Sequence, residues 1–242
     1  IGGNWLNSGT FTTTNSTITF NGTSSQSITK SGGETFNNLT ISNTSSTIIA
    51  ANNISVGGTF TTNASSTLDM GTNALTVATV AHSGTVKTQN TSSTPITTAK
   101  IWGGTVEYNG TGAQTLVTGN YSNLIISGAR AATPAITLAS GTIGVAGAFT
   151  DSHTGSVSYT TTGNTVDFNG TVAQTIPAFN FNNLTISGNK GTGAVTLVNA
   201  GTIGVAGTLT VTATNTSYAT TGNTFEFNGT NQNIPAFTFN NL

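Results

Sequence analysis

The chain has 242 residues with five Lys and Arg, six Asp and Glu and a net charge of −1, so only 5% of its residues are charged. Typical soluble domains carry about 25% charged residues. The composition offers no basic surface to neutralise phosphates, so we expect no nucleic-acid partner. No run of about 18 apolar residues occurs, so we expect no membrane-spanning segment. Apolar residues make up 35% of the chain in a regular pattern, which disfavours disorder.

One strand–turn–strand unit recurs four times along the chain. It reads TITFNGTSSQSI from Thr17, TVEYNGTGAQTL from Thr105, TVDFNGTVAQTI from Thr165 and TFEFNGTNQNI from Thr224. The Asn-Gly pairs of these copies are Asn21-Gly22, Asn109-Gly110, Asn169-Gly170 and Asn228-Gly229, at spacings of 88, 60 and 59 residues. Asn and Gly tolerate positive φ, so we interpret the four pairs as turn-forming positions between faces of the fold.

The repeat period predicts the fold class. Apolar residues alternate in bursts of three to five residues, which is typical of half-buried strands, and no window shows the spacing of an amphipathic helix. A 60-residue repeat divides into about three coils of roughly 20 residues. We therefore predict an all-β chain that forms a right-handed parallel β-solenoid (β-helix), with the handedness taken from the general bias of parallel crossovers.

The same periodicity predicts the domain organisation. We expect a single continuous array over residues 1–242, with repeat units at 1–55, 56–144, 145–204 and a partial unit at 205–242. The second unit is about 28 residues longer, so it is expected to hold an extra coil near residues 67–77 and an external loop at residues 89–98. Ile1-Gly2-Gly3 matches the middle of a repeat, and neither end resembles a polar cap. The chain is thus expected to be a fragment or subunit of a longer array, with further repeats or other copies of itself as partners.

The alternation also predicts which side chains face inward. The predicted core includes Phe20, Leu39, Ile41, Val166, Phe168, Leu184, Ile186, Leu197, Leu209 and Phe227.

The repeat resembles a known class of sequences. The phrase TFNGT-x-x-Q-x-I, followed by F-x-N-L-x-I-S and then V-x-G-T, resembles the β-strand repeats of very large bacterial surface proteins, akin to filamentous haemagglutinin and autotransporter passenger domains. Nearly the whole chain is covered by this resemblance. It implies an adhesin, fibre former or surface-layer component located outside the cell, with cell-surface glycans or other cells as partners. The Gly-Gly-x-Gly-x-Asp repeat of calcium-binding solenoids is lacking.

The acidic residues of the repeat invite comparison with catalytic pairs. Glu107, Asp167 and Glu226 each lie two residues before an Asn-Gly pair, at a position expected to face solvent. Equivalent residues would lie about three coils apart, roughly 14 Å at a strand spacing of about 4.8 Å. Retaining glycosidases need carboxyl groups about 5 Å apart, and inverting ones less than about 10 Å. We therefore predict no catalytic role for these acids.

The remaining candidates are also interpreted as structural. His82 and His153 are expected in solvated loops, without acids or cysteines at metal-ligand spacing. Asp151-Ser152-His153 is not expected to form a triad, because consecutive residues of an extended strand do not point at one another. Residues 141–147 resemble a phosphate loop, but their copy at 201–207 shows that they belong to the repeat. No catalytic, cofactor-binding or metal-binding residues are predicted.

Two function classes follow. The first is a non-catalytic structural or adhesive surface fibre, and the alternative is a glycan-binding or polysaccharide-processing β-helix. A binding groove should present exposed aromatic residues, for which Trp5, Trp102 and Tyr121 are the candidates. A third possibility, ice binding by threonine triplets at residues 12–14 and 160–162, requires the triplets on every coil, and they do not recur.

Overall fold

The structure is a computed structural model, and it describes residues 1–130, 133 and 135–242. The described chain contains 28 strands and no helix. The first ten are β1 (Trp5–Leu6), β2 (Thr17–Phe20), β3 (Gln26–Thr29), β4 (Glu34–Phe36), β5 (Asn38–Ile41), β6 (Thr47–Ala50), β7 (Ile54–Thr62), β8 (Thr67–Asp69), β9 (Leu75–His82) and β10 (Thr85–Thr88). The next nine are β11 (Lys100–Tyr108), β12 (Gln114–Leu116), β13 (Gly119–Ile126), β14 (Ala129–Arg130), β15 (Ala135–Leu138), β16 (Gly141–Val145), β17 (Phe149–Asp151), β18 (Thr154–Gly155) and β19 (Ser158–Thr160). The last nine are β20 (Asn164–Phe168), β21 (Gln174–Ile176), β22 (Asn180–Phe181), β23 (Asn183–Ile186), β24 (Val195–Leu197), β25 (Thr202–Val205), β26 (Leu209–Val211), β27 (Tyr218–Ala219) and β28 (Thr224–Phe227).

The strands stack in parallel, each on the strand of the previous coil. Phe20 of β2 lies beside Ile41 of β5, which in turn lies beside Thr62 of β7, so successive coils are 21 residues apart along the chain. The result is a parallel β-solenoid of about ten turns, as the period predicted. The largest sheet joins twelve strands from β1 to β26. Right-handedness stays a prediction.

The interior is a continuous stack of apolar side chains. Val166, Leu184 and Leu209 occupy one ladder on three successive coils, so each touches its equivalents above and below. Phe20, Leu39, Ile41, Val166, Phe168, Leu184, Ile186, Leu197 and Leu209 are all buried. Phe227 is only half-buried, although it also packs against the core, where its ring contacts those of Phe225 and Phe239.

One repeat does not correspond to three whole coils. The ladder that starts at Asn120 passes through Gly144 and Asp167 and reaches Thr185 after three steps. The repeat-equivalent of Asn120 is Asn180, which lies five residues short of Thr185. Each repeat is therefore displaced by five residues along the coil relative to the one before it, and equivalent residues do not stack on one another.

The glycine of each Asn-Gly pair lies where a side chain would clash with another coil of the solenoid or with the glutamine that follows it. The expected use of positive φ is wrong, because none of the eight residues of these pairs has a positive φ. Instead, a Cβ at Gly170 would lie 2.0 Å from Ala146 O and 2.9 Å from Gln174 Cδ. The Gly170 N–H donates to Gln174 Oε1 at 2.9 Å, and Gln174 Nε2 donates to Val145 O of the previous coil at 2.8 Å. Matching bonds join Gly22 to Gln26 at 3.0 Å, Gly110 to Gln114 at 2.9 Å and Gly229 to Gln232 at 2.6 Å.

Two of these glutamines also hold a buried cation. Lys190 Nζ donates to Gln174 Oε1 at 2.6 Å and to the carbonyls of Phe168 and Gly170 at 2.9 Å each. Arg130 is bound to the equivalent Gln114 Oε1 at 2.7 Å and to backbone carbonyls of the previous coil. Burial lowers the pKa of both cations. Since no described carboxylate lies within 4.0 Å of either, backbone dipoles and the glutamine oxygen stabilise these charges.

The long second repeat is built into the solenoid wall. β8 pairs with β6 on one side and β10 on the other, as expected for an added coil. Residues 89–98 contain no strand, and residues 91–94 are exposed as expected for an external loop, but the segment also reaches the core. Ile96 is buried and forms a parallel bridge with Leu75, and Pro95 O accepts a hydrogen bond from Leu75 N. This segment therefore closes its coil over the core.

Candidate functional site

His82 is a buried part of the core, so its interpretation as a loop residue is wrong. It ends β9 with its side chain inward and only 4% of its surface exposed. His82 Nδ1 lies 2.6 Å from the Thr62 hydroxyl, and Nε2 lies 3.0 Å from Thr105 O. Burial lowers the pKa of His82, which keeps the imidazole neutral. Both ring nitrogens are thus used in packing coils together.

The three aromatic residues expected on the surface do not form a binding face. Trp102 and Tyr121 are buried, and the Tyr121 hydroxyl donates to Val117 O at 2.7 Å. Trp5 is half-buried, and its indole N–H donates to the buried carboxylate of Glu34 at 2.6 Å. All three side chains are packed into the fold, although the Trp102 indole N–H has no hydrogen-bond partner among the described residues, and these scattered candidates are not the exposed aromatics that a binding groove needs.

The three repeated acids lie on the outer surface, but in three separate ladders. Glu107 forms an ion pair with Lys87 at 3.1 Å and stands beside Ile125. Asp167 accepts hydrogen bonds from the Ser187 hydroxyl at 2.7 and 3.0 Å, and burial raises the pKa of this carboxyl. Glu226 is exposed, and its register partner is Gly204. The ladders of Glu107 and Asp167 pass through Ile125 and Asn120 of the same strand, β13, so these two acids share one sheet and are displaced along it.

One groove brings together groups of different chemistry. We call it the Asp151 groove; it has a volume of about 510 Å³ and is lined by Asp151, Tyr159, Thr161, Ala178, Phe179, Asn180, Thr202 and Glu226. Its wall is aromatic, since the rings of Tyr159 and Phe179 meet edge to face with centroids 4.8 Å apart. Its polar lining supplies two carboxylates, an amide and two threonine hydroxyls. Sequence reasoning had not singled out Tyr159 or Phe179.

A hydrogen-bonded cluster holds the Asp151 carboxylate in place. The Tyr159 hydroxyl donates to one carboxylate oxygen, and His153 Nδ1 lies 2.5 Å from the other. The expectation that Asp151 and His153 do not meet is wrong, because they are two residues apart and side chains at this spacing in an extended chain project to the same side. The Ser152 hydroxyl donates instead to Ile126 O at 3.3 Å, so the cluster lacks the serine of a hydrolase triad. Burial and the bond to Asp151 raise the pKa of Tyr159, so its hydroxyl remains a hydrogen-bond donor.

The Asp151 groove runs along the solenoid axis. Asn180, Gly204 and Glu226 occupy one ladder on three successive coils. Two coil spacings are about 10 Å, so the groove reaches at least this far from Asn180 to Glu226. Gly204 contributes no side chain between them, and the amide of Asn180 lies over this glycine, where an added Cβ would meet Asn180 Oδ1 and Asn228 Nδ2.

A second groove occupies the equivalent position one repeat later. We call it the Tyr218 groove; it has a volume of about 560 Å³ and is lined by Val211, Ala213, Tyr218, Thr220, Ala236, Phe237 and Thr238. The rings of Tyr218 and Phe237 meet at 5.0 Å, as the rings of Tyr159 and Phe179 do. Val211 and Ala213 stand where the earlier copy has the acid and the histidine. The two grooves thus share their aromatic pair and differ in polarity.

Other kinds of site receive no support from the geometry. Residues 141–145 form β16, which is stacked between β13 and β20, so this segment is part of a sheet. Within the described ranges, no group of three His, Cys, Asp or Glu side chains could hold a metal ion. Over the same residues, no helix is long and apolar enough to cross a membrane.

The fold defines the chain as a parallel β-solenoid with an internal 60-residue repeat. A scan against protein-family models found no match, and searches of curated proteins and of solved structures found no similar chain.

Proposed function

We propose that this chain is a non-catalytic structural or adhesive surface protein that acts outside the cell as a stiff, elongated array. The observation that carries the proposal is the largest sheet, which joins strands from β1 to β26 through parallel ladders. Ladder bonds and stacked core residues link every coil to its neighbours, so bending the rod would strain both together. A protein of this kind keeps its ends far apart, which suits extension from a surface.

The low charge of the chain supports association through apolar and backbone contacts. The outer coil of a solenoid presents unpaired N–H and C=O groups that another chain can extend. With 5% charged residues, there is little charge to steer or oppose such contacts. We expect copies, or further repeats of the same chain, to assemble end to end or side by side, and we expect this assembly to persist at high salt.

Glycan binding is the second candidate, and the Asp151 groove is the observation that favours it. Polysaccharide cleavage is less well supported at the same place. A catalytic carboxyl must be free to transfer a proton or attack the sugar. Both oxygens of Asp151 already accept hydrogen bonds, from Tyr159 and His153.

Small-angle scattering and electron microscopy of the purified chain test the primary proposal. We expect rod-shaped particles that associate at both low and high salt. Leu242→Lys, which places a charge on the last described coil, should reduce association, whereas Val172→Lys on a lateral surface should leave end-to-end contacts intact. Compact particles that neither associate nor adhere to cells would overturn the proposal.

A further inference from the structure

The Asp151 groove matches the two kinds of surface that a sugar ring presents. A pyranose has apolar C–H faces and a rim of hydroxyl groups that both donate and accept hydrogen bonds. Tyr159 offers an aromatic body with a polar tip, and it is braced by Phe179. The carboxylates of Asp151 and Glu226 accept hydrogen bonds, while the Asn180 amide both donates and accepts. Pockets for small ligands combine apolar walls with a few such polar groups.

The polar groups at the centre of the groove are fixed before any ligand arrives. Asp151 is held by Tyr159 on one oxygen and by His153 on the other. An ionised carboxylate has about four acceptor positions, so roughly two remain for ligand hydroxyls. The Asp151 side chain is still 20% exposed, so these positions are accessible. A ligand would therefore bind without the cost of ordering this side chain.

The charges of the groove select against acidic ligands. Asp151 and Glu226 both line it, and its lining includes no Lys or Arg. The nearby cation Arg130 is buried, and its guanidinium donates to Gln114 and to backbone carbonyls inside the fold. A carboxylated or sialylated sugar would meet two like charges at the lining, whereas Arg130, the cation that interacts electrostatically with Asp151, is buried in the fold and does not line the groove.

The polar cluster is not required by the repeat. The Tyr218 groove keeps the aromatic pair and the solenoid wall with Val211 and Ala213 at the equivalent positions. The fold is thus compatible with small apolar residues there. Asp151 and His153 consequently add a hydrogen-bonding centre that packing alone does not demand.

We propose that the Asp151 groove binds uncharged carbohydrate, with a pyranose ring against Tyr159 and its hydroxyls hydrogen-bonded to Asp151, Asn180 and Glu226. This deepens the adhesive part of the proposed function by assigning it a site and a ligand class. The groove extends along the solenoid axis, so a linear oligosaccharide would lie parallel to the axis and contact successive coils.

The test is binding of the full chain to immobilised oligosaccharides, neutral hexose oligomers on one set of spots and sialylated or uronate-containing oligomers on another. We expect binding to neutral oligomers and none to acidic ones. The double variant Asp151→Val/His153→Ala copies the Tyr218 groove and should weaken binding about tenfold or more, as expected for losing one to two hydrogen bonds to a charged acceptor. Val211→Ala in the other groove is the matched control and should bind as the parent does.

A second variant keeps the test decisive if the double variant unfolds. Glu226→Gln changes an exposed residue, and it should reduce discrimination against acidic oligomers while circular dichroism stays unchanged. Absence of neutral-glycan binding, or equal binding by a folded Asp151→Val/His153→Ala variant, would overturn the inference. A rod that assembles or adheres without binding these sugars would refute only this site. A chain that binds them but is neither rod-shaped nor adhesive would refute the primary proposal instead.

Discussion

The Asp151 groove and the Tyr218 groove are two versions of one surface, separated by a single repeat. Both have a tyrosine packed edge to face on a phenylalanine, with ring centroids 4.8 and 5.0 Å apart. In the first groove the tyrosine hydroxyl donates to Asp151, whereas the hydroxyl of Tyr218 is buried without a partner in the described chain. The repeat thus places a tyrosine–phenylalanine pair in both grooves, and the residues at positions 151 and 153 decide whether a groove also has a hydrogen-bonding carboxylate.

The grooves also differ in how deeply their aromatic pair is covered. Phe179 is 7% exposed and contacts Phe149 and Phe181, whereas Phe237 is half-buried. β22, β25 and β28 stack in successive coils beside Phe179, so the first groove lies within the array. Although Phe179 and Phe237 occupy equivalent positions in the repeat, we therefore expect Phe179 to contribute more to the stability of the fold.

The largest loss of stability should come from disrupting the apolar core of the solenoid, on which both grooves are built. Leu184 is buried in the ladder between Val166 and Leu209, so Leu184→Asp would bury an unpaired charge. We expect a loss of several kcal/mol, about 4 or more, in the free energy of unfolding. Asp167→Asn on the outer face should change it by less than about 0.5 kcal/mol. Urea unfolding followed by circular dichroism measures both, and the reverse order would mean that the inward and outward faces are misassigned.

Replacing the phenylalanine of each groove by alanine should show the energetic effect of their different burial. Phe179→Ala removes a buried ring and should destabilise the chain by about 3 kcal/mol, near the lower end for buried phenylalanines. Phe237→Ala should cost about half as much, because its ring is already partly hydrated. Thermal and urea midpoints of the two variants provide the measurement. Equal losses would show that the two pairs are equally covered in solution.

Acid should destabilise the fold through His82. Burial lowers the folded-state pKa of His82 below its ordinary value of 6.5, so the unfolded chain binds the proton more readily. Stability is then constant above about pH 6.5 and falls as the pH drops below it, by at most about 1.4 kcal/mol per pH unit for one proton. Urea midpoints between pH 8 and 5 should show this decline. His82→Gln should abolish it, whereas an unchanged decline in that variant would show that His82 is not its source.

The smallest effects should come from deleting the two tyrosine hydroxyls. Tyr159→Phe removes a hydrogen bond to a partly exposed carboxylate and should cost about 1 kcal/mol. Tyr218→Phe removes a buried hydroxyl that has no partner, so it should be neutral or slightly stabilising. Urea unfolding of Tyr159→Phe, Tyr218→Phe and the parent chain under the same conditions measures both changes in the free energy of unfolding. A cost for Tyr218→Phe equal to that for Tyr159→Phe would mean that Tyr218 has a polar partner in solution.

Part of the candidate site was accessible from the repeat alone. Aligned copies place Tyr159 over Tyr218 and show Asp151 and His153 where the next copy has Val211 and Ala213. That departure was a usable signal. The sequence interpretation missed it because it considered only consecutive residues of the strand, whereas Asp151 and His153 are two residues apart and project to the same side.

The sequence by itself determined the all-β solenoid, the coil of about 20 residues and the inward positions from Phe20 to Leu209. These follow from alternation of period two and from repeat length, which are local properties of the chain. Only the tertiary structure decided which residues are neighbours across coils. Three coil steps from Asn120 end at Thr185 and not at the equivalent Asn180, so the differences in coil length add up and displace equivalent residues along the coil. The burial of His82 and the close approach at Gly170 depend on this register, because their partners come from other coils. Asp151, His153 and Tyr159 lie within eight residues of one another, so their grouping depends on the local path of the chain after β17.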